Sequence, residues 1–268
     1  IHHAGRASFR KMADAKYRSL HEENRKIYED KWACNWRPHE GNRHDTARFA
    51  AEITERIAKG PRGEVVIFPP NIGWAIDLFQ RPHQLAMALG QLDHLVFFCL
   101  HDYDDPEGPR LREIAPNVIL SSVPLCAFDG VQSPIVFTMP YNGYEAAYFR
   151  EARIVYESVD VLEVFGGPQE RLRQEHARLV CEADLVVATA DRLVQEIVEI
   201  RPDVLLVPNG VDFDHFATAG VIPEASIDQL PGPVIGYFGA LARWVDYELI
   251  RRTALARPKW SFVLVGPD

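Results

Sequence analysis

The sequence predicts an α/β fold: a mostly parallel sheet with helices on both faces, followed by the opening of a second unit of the same kind. Three observations carry this expectation. Short apolar runs such as EVVIFP (64–69) alternate with helix-period segments such as RPHQLAMALGQ (81–91) along most of the chain. The stretch 204–241 joins an apolar run, an Asn209-Gly210 turn, a proline-bearing polar crossing and a second apolar run that ends in glycine. Apolar residues make up 47% and charged residues 25% of 268, with no run near the roughly 18 apolar residues that a membrane span needs.

In chain order, Tyr17, Leu20, Ile27 and Tyr28 stand at helical spacing and predict an amphipathic helix over 14–31. A second helix, 42–59, places Phe49, Ala50, Ile53 and Ile57 on one face; GPRG at 60–63 ends it, and it reads as a connector packed against the next domain. Residues 64–69 form the first buried strand. The helix at 81–91 starts with Pro82 in its first turn, where a missing N–H costs nothing, and buries Leu85, Ala86 and Leu89. Strands follow at 94–100, 117–123 and 135–139, with 101–109 and 124–134 read as loops. A short helix at 144–151, a strand at 154–157, a helix at 168–183, a strand at 185–189, a helix at 191–200 and a buried-type strand at 204–207 complete the first half. Beyond a linker at 217–232 come a strand (234–238), a helix from about 245 to 256 and a strand (261–265). A lone β-α-β unit cannot close its own core.

Composition excludes some functions. A net charge of −9 argues against a broad nucleic-acid footprint, which needs clustered Lys and Arg. Cys34, Cys99, Cys126 and Cys181 are scattered without a CxxC pair, as in a reduced compartment. The G-x-G-x-x-G of nicotinamide-binding proteins is missing. The chain opens on Ile1 rather than Met and stops as a strand completes, so a segment of a longer polypeptide is expected.

Five motifs carry a resemblance: QRPHQLA (80–86), VYESVDVLEVF (155–165), HARLVCEADLVVATADRLVQEI (176–197), PNGVDFDHF (208–216) and IGYFGALARWVDYELI (235–250). Together they resemble family-four glycosyltransferases of the GT-B fold, in a branch that serves bacterial surface-polysaccharide synthesis, over residues 64–268. HHAGRASF (2–9) and ENRKIYEDKW (23–32) are similar to the C-terminal tail of family-two glycosyltransferases of the GT-A fold. The resemblance implies a tail of an upstream GT-A transferase (1–36), a helical connector (37–63), an acceptor-side Rossmann-like domain (64–216), a linker (217–232) and a truncated nucleotide-sugar domain (233–268). It implies sugar transfer from a nucleotide-diphosphate sugar to a glycan or lipid-linked acceptor, retaining, without metal or further cofactor. The setting implied is the cytoplasm, with peripheral association at the inner face of the membrane; this segment alone is expected to be inactive. A non-catalytic binding domain and a nucleotide-sugar epimerase of the same fold are the alternatives.

The chemistry asked of such a site is positive charge and N–H donors for a departing diphosphate. Donor-side candidates are Gly236, Gly239, Arg243 and Asn209. The arginine and lysine that the family usually offers after the first strand of the second domain are replaced by alanine and tryptophan, which leaves Arg243 as the cation of that loop. It is read either as a phosphate clamp or as an exposed helix-start arginine. On the acceptor side stand Asn71, Gly73, Gln80, Tyr141 and Asn142, the last two where relatives often carry a histidine. Arg81 and Asp160 are the catalytic candidates. Arg81 either reaches a phosphate or decorates a helix start; Asp160 either orients an acceptor hydroxyl or forms a capping box with Glu163. His176 reads as a satisfied core histidine, Glu196 as solvated, and Trp74 and Trp244 as packing between domains rather than sugar stacking. By resemblance alone His2 and His3 sit near a metal, but no metal site is expected.

Overall fold

The computed structural model describes residues 46–76, 79–101, 105, 107–217 and 225–267. The helix expected at 14–31, His2, His3 and Cys34 lie outside them. The chain divides into two compact units, the first ending at Asn209 and the second beginning at Gly210.

The first unit is one eight-stranded sheet. It runs β1 (Val65–Phe68), β2 (Leu95–Cys99), β3 (Leu111–Ala115), β4 (Val118–Ser121), β5 (Ile135–Thr138), β6 (Arg153–Ser158), β7 (Leu185–Ala188) and β8 (Leu205–Leu206) in chain order. In space the order is β3-β4-β2-β1-β5-β6-β7-β8, parallel throughout except for the antiparallel pair β3–β4. Its helices are α1 (Thr46–Lys59), α2 (Arg81–Gln91), α3 (Gln169–Glu182) and α4 (Asp191–Ile197). The α/β, Rossmann-like architecture expected from alternation is the one observed.

Period-two burial explains why both faces need helices. Ile67, Leu95, Phe97, Cys99, Ile119 and Val136 point to one side, where Phe49 and Ile53 of α1 close the core together with Phe128 and Phe149. Their neighbours Val66, Phe68, Val96, Phe98 and Leu120 point to the other side, against Ala86, Leu85 and Leu89 of α2. Helix α1 is thus an integral part of the first unit's core. Under α3 and α4 a third cluster gathers Tyr156, Leu179, Val180, Val186 and Ile197. Gly90 lets α2 approach β4: a Cβ there would lie 2.5 Å from Val118 Cγ2 and 2.9 Å from the Pro116 carbonyl oxygen.

Several local expectations need correction. Residues 111–115, to which the sequence pattern assigns no element, form β3, an edge strand that buries Leu111 and leaves Arg112 and Glu113 in solvent. The helix expected at 144–151 is a 3₁₀ turn, Gly143–Tyr148. The run 204–207 is an exposed two-residue edge strand rather than a buried one, with Leu205 48% and Leu206 45% accessible. Helix α4 ends at Ile197, short of residue 200.

The second unit opens with two short helices, α5 (Phe213–Ala217) and α6 (Ala225–Asp228), within or beside the stretch read as linker. Then come β9 (Val234–Phe238), α7 (Tyr247–Ala256) and β10 (Ser261–Val265), with β9 and β10 parallel and in full register. The Asp246 carboxylate caps α7 by accepting the Leu249 N–H at 2.8 Å. No residue of these three elements is buried.

Candidate functional site

In open parallel sheets, ligands meet the carboxyl ends of the strands. The residues that leave β1, β5, β6 and β8 at that edge are 69–74, 139–143, 159–160 and 207–209, and the first unit collects its polar side chains there. The loop after β1 is pinned to the loop after β5: the Tyr141 hydroxyl donates to Asn71 Oδ1, and Asn71 Nδ2 approaches Met139 Sδ at 3.6 Å. Asn142 is buried and engaged at both ends. Its Oδ1 accepts the Met139 N–H at 2.8 Å and its Nδ2 donates to the Pro70 carbonyl at 3.2 Å. Asn142 therefore shapes the loop, while Asn71 and Tyr141 stay half-buried at its rim.

His83, one turn into α2, holds the other end of the β1 loop. Its Nδ1 accepts the Gln80 N–H and its Nε2 donates to the Gly73 carbonyl, both at 3.0 Å. That pair of bonds fixes a neutral tautomer, and burial lowers the imidazole's proton affinity further. The ring stacks on Phe98 and Phe79, and Trp74 stands edge-on to all three. Trp74 thus packs within the first unit rather than between domains. Gln80 itself is an exposed N-cap residue.

The strongest electrostatic feature joins two residues 76 positions apart. Arg81 Nε donates to Glu157 Oε1 at 3.0 Å, with the side chains 13% and 3% exposed. Arg81 Nη1 also donates to the Pro208 carbonyl and to Asn209 Oδ1, each at 3.3 Å. Burial pushes the Glu157 carboxyl up, and the charge and hydrogen bond of Arg81 pull it back. Tyr141 is held protonated by burial and by the nearby Glu157 charge. The edge therefore brings together Asn71, Gly73, Gln80, Arg81, Tyr141, Asn142 and Asn209, with Glu157 and His83 as members that sequence reasoning missed. A carboxylate inside the apolar strand RIVYES was the available signal for Glu157.

Asp160 stands apart. It is exposed, and its Oδ1 accepts the N–H of the next residue, Val161, at 3.2 Å. The capping box with Glu163 is not formed, because Val161 is the residue that begins the Leu162–Val164 turn and Glu163 instead lies 3.9 Å from Arg173. His176 is the satisfied histidine expected, 2.6 Å from the Tyr156 hydroxyl through Nδ1. Glu196 pairs with Arg192 in solvent.

A second buried carboxyl, Glu145, was not anticipated from the sequence either. It is 7% exposed, its Oε2 has no hydrogen-bond partner among the described residues, and burial pushes it up to about 7. Burial raises the neighbouring Cys99 thiol too, with Glu145 adding to the effect.

In the second unit, Gly236 lies mid-strand in β9, and Gly239 follows its end with φ 153° and an N–H donated to the Val265 carbonyl. Gly266 takes φ 157° beside it; a Cβ there would sit 1.8 Å from the Gly239 carbonyl oxygen, so the two strand ends can meet only with glycine at 266. Arg243 and Trp244 are both exposed in the loop before α7. Among the described residues no group of three or more His, Cys, Asp or Glu is placed to hold a metal ion, and no helix is long and apolar enough to cross a membrane.

No family model matches the chain. A protein of Bacillus subtilis (strain 168), named as a putative teichuronic acid biosynthesis glycosyltransferase, TuaH, is 31% identical over 102 residues. That match takes in 36% of this chain and only 26% of the relative's length. Among solved structures, an α,α-trehalose-phosphate synthase (UDP-forming) from Burkholderia vietnamiensis superposes with a TM-score of 0.50 at 14% identity, over 78% of this chain and 64% of that one. A sucrose-phosphate synthase from Thermosynechococcus elongatus overlaps at a TM-score of 0.39 and 14% identity, over 57% of this chain and 93% of that one. The trehalose-phosphate synthase likeness shows the fold: Rossmann-like α/β with a parallel-dominated sheet.

Proposed function

We propose that the protein transfers a glycosyl unit from a nucleotide-diphosphate sugar to a glycan or lipid-linked acceptor in the synthesis of a bacterial surface polysaccharide. The observation that carries this reading is the 31% identity to a relative named for teichuronic acid biosynthesis. Fold and site chemistry agree with it. A Rossmann-like edge with a buried ion pair, a pinned asparagine and a protonated tyrosine suits recognition of sugar hydroxyls, and Asn71 and Tyr141 are the groups assigned to the acceptor. On the donor side, Arg243, exposed in the loop before α7, supplies the charge for a departing diphosphate.

The finer reading is a retaining transfer that needs no metal, with charge supplied by the protein, and association with the inner face of the membrane alongside an upstream GT-A domain. The test uses the full-length protein with a panel of uridine, guanosine and thymidine diphosphate sugars and bacterial membranes as acceptor. Nucleoside diphosphate release is expected for at least one donor and unchanged by EDTA, and the anomeric configuration of the product reads retention directly. Arg243→Ala is expected to lower turnover about a hundredfold, the loss typical of one charged donor at such a site. Absence of both donor binding and release in wild type and variant would leave a binding domain rather than an enzyme.

A further inference from the structure

We propose that Glu157 is a positioning residue, which orients the Arg81 guanidinium so that it clamps the Pro208–Asn209 turn where the chain leaves the first unit. A carboxylate only 3% exposed inside a sheet strand is costly to desolvate, and Arg81 at 3.0 Å compensates it. Buried ion pairs seldom add net stability over well-packed apolar residues of the same volume, so the pair is better understood by what it orients. That is the free arm of the same guanidinium, whose Nη1 reaches both the Pro208 carbonyl and Asn209 Oδ1 at 3.3 Å.

That turn needs holding. Strand β8 is two residues long, its side chains are exposed, and its last ladder bond runs from the Val207 N–H to the Ala188 carbonyl at 2.9 Å. Past Val207, it is Arg81 that donates to residues 208 and 209. The clamp therefore ties the start of α2, the end of β6 and the exit of β8 into one point. Tyr141, which feels the Glu157 charge, connects that point to the Asn71 loop. Only the catalytic arm of the test rests on the transferase reading; the structural arm stands without it.

The test is amide hydrogen exchange on the whole chain, followed by peptide for residues 204–209 and for β1 and β2. Glu157→Gln is expected to speed exchange in 204–209 about tenfold and leave β1 and β2 unchanged, while Glu157→Asp recovers most of the protection. The double variant Glu157→Gln with Arg81→Gln should show no more than the single change, because the two side chains act as one unit. If Glu157→Gln does not fold, Glu157→Leu with Arg81→Met removes both charges, and fast local exchange over an unchanged core is again expected. Unchanged exchange at 204–209, or a rise spread evenly through the sheet, overturns the proposal. Where a donor is turned over, Glu157→Gln should raise the KM for the nucleotide sugar several-fold, because Asn209 stands on the donor side, with kcat lowered less than KM is raised, a split that global destabilisation would not produce.

Discussion

Glu145 shows how one side chain sets a pH dependence. Its carboxyl titrates at about 7 in the fold against 4.5 as an unperturbed glutamate, so the neutral form is the one the fold prefers. The stabilisation is complete below about pH 4.5 and is lost as pH rises through 7; it is on the order of 2 kcal/mol after solvent screening. Glu145→Gln is therefore expected to stabilise the protein at pH 8 by roughly 1–2 kcal/mol and to flatten its urea midpoint between about pH 5 and 8. Gly143, two positions earlier, makes a steric prediction. A Cβ there would lie 2.6 Å from Glu175 Oε1 and 2.7 Å from Leu179 Cδ1, so Gly143→Ala should cost about 1–3 kcal/mol in the same measurement. Neither effect was legible in sequence. Glu145 sits in YNGYEAAYF, where nothing marks burial, and Glu157 meets its partner 76 residues away. What was legible was placement: Asn71 and Arg81 were singled out because they follow the first strand, Tyr141 from the family resemblance and Asn209 from its turn, and the fold gathers them at one edge. Their individual roles depend on contacts between segments far apart in the chain, which one sequence does not encode locally.

Elements were read well where apolar periodicity was long and poorly where it was short. The runs giving β1, β2, β5 and β7 and the helical stripes of α2 and α3 matched because each buries a full face. Strand β3 was missed because an edge strand needs only one buried side chain, here Leu111, and shows charges elsewhere. The 3₁₀ turn after β5 was taken for a short α-helix at 144–151; it spans Gly143–Tyr148 and buries Gly143, Glu145 and Ala146. Helix α2 offers a test at this scale. Gly90→Ala should cost about 1–3 kcal/mol, since the new methyl meets Val118 and the Pro116 carbonyl rather than solvent. In the second unit, Asp246→Ala should remove about 1 kcal/mol of helix stability by orphaning the Leu249 N–H, read by the exchange rate of the first turn of α7.

At the scale of the molecule, the two units differ in how much they bury. The first closes three apolar clusters on its own, whereas β9, α7 and β10 contain no buried residue. A segment spanning 46–209 should therefore unfold in one cooperative transition with nearly the midpoint of the whole chain, and 210–268 alone should show none by calorimetry. The sheet of the first unit has a further consequence. One flank ends in a bulged strand whose register shifts between Glu113 and Ala115, with Arg112 and Glu113 set outward; the other ends in a ladder two residues long. The first rim is bent and charged and the second is too short to template a long ladder, so crowded molecules of this chain are steered away from zippering into fibrils through this sheet.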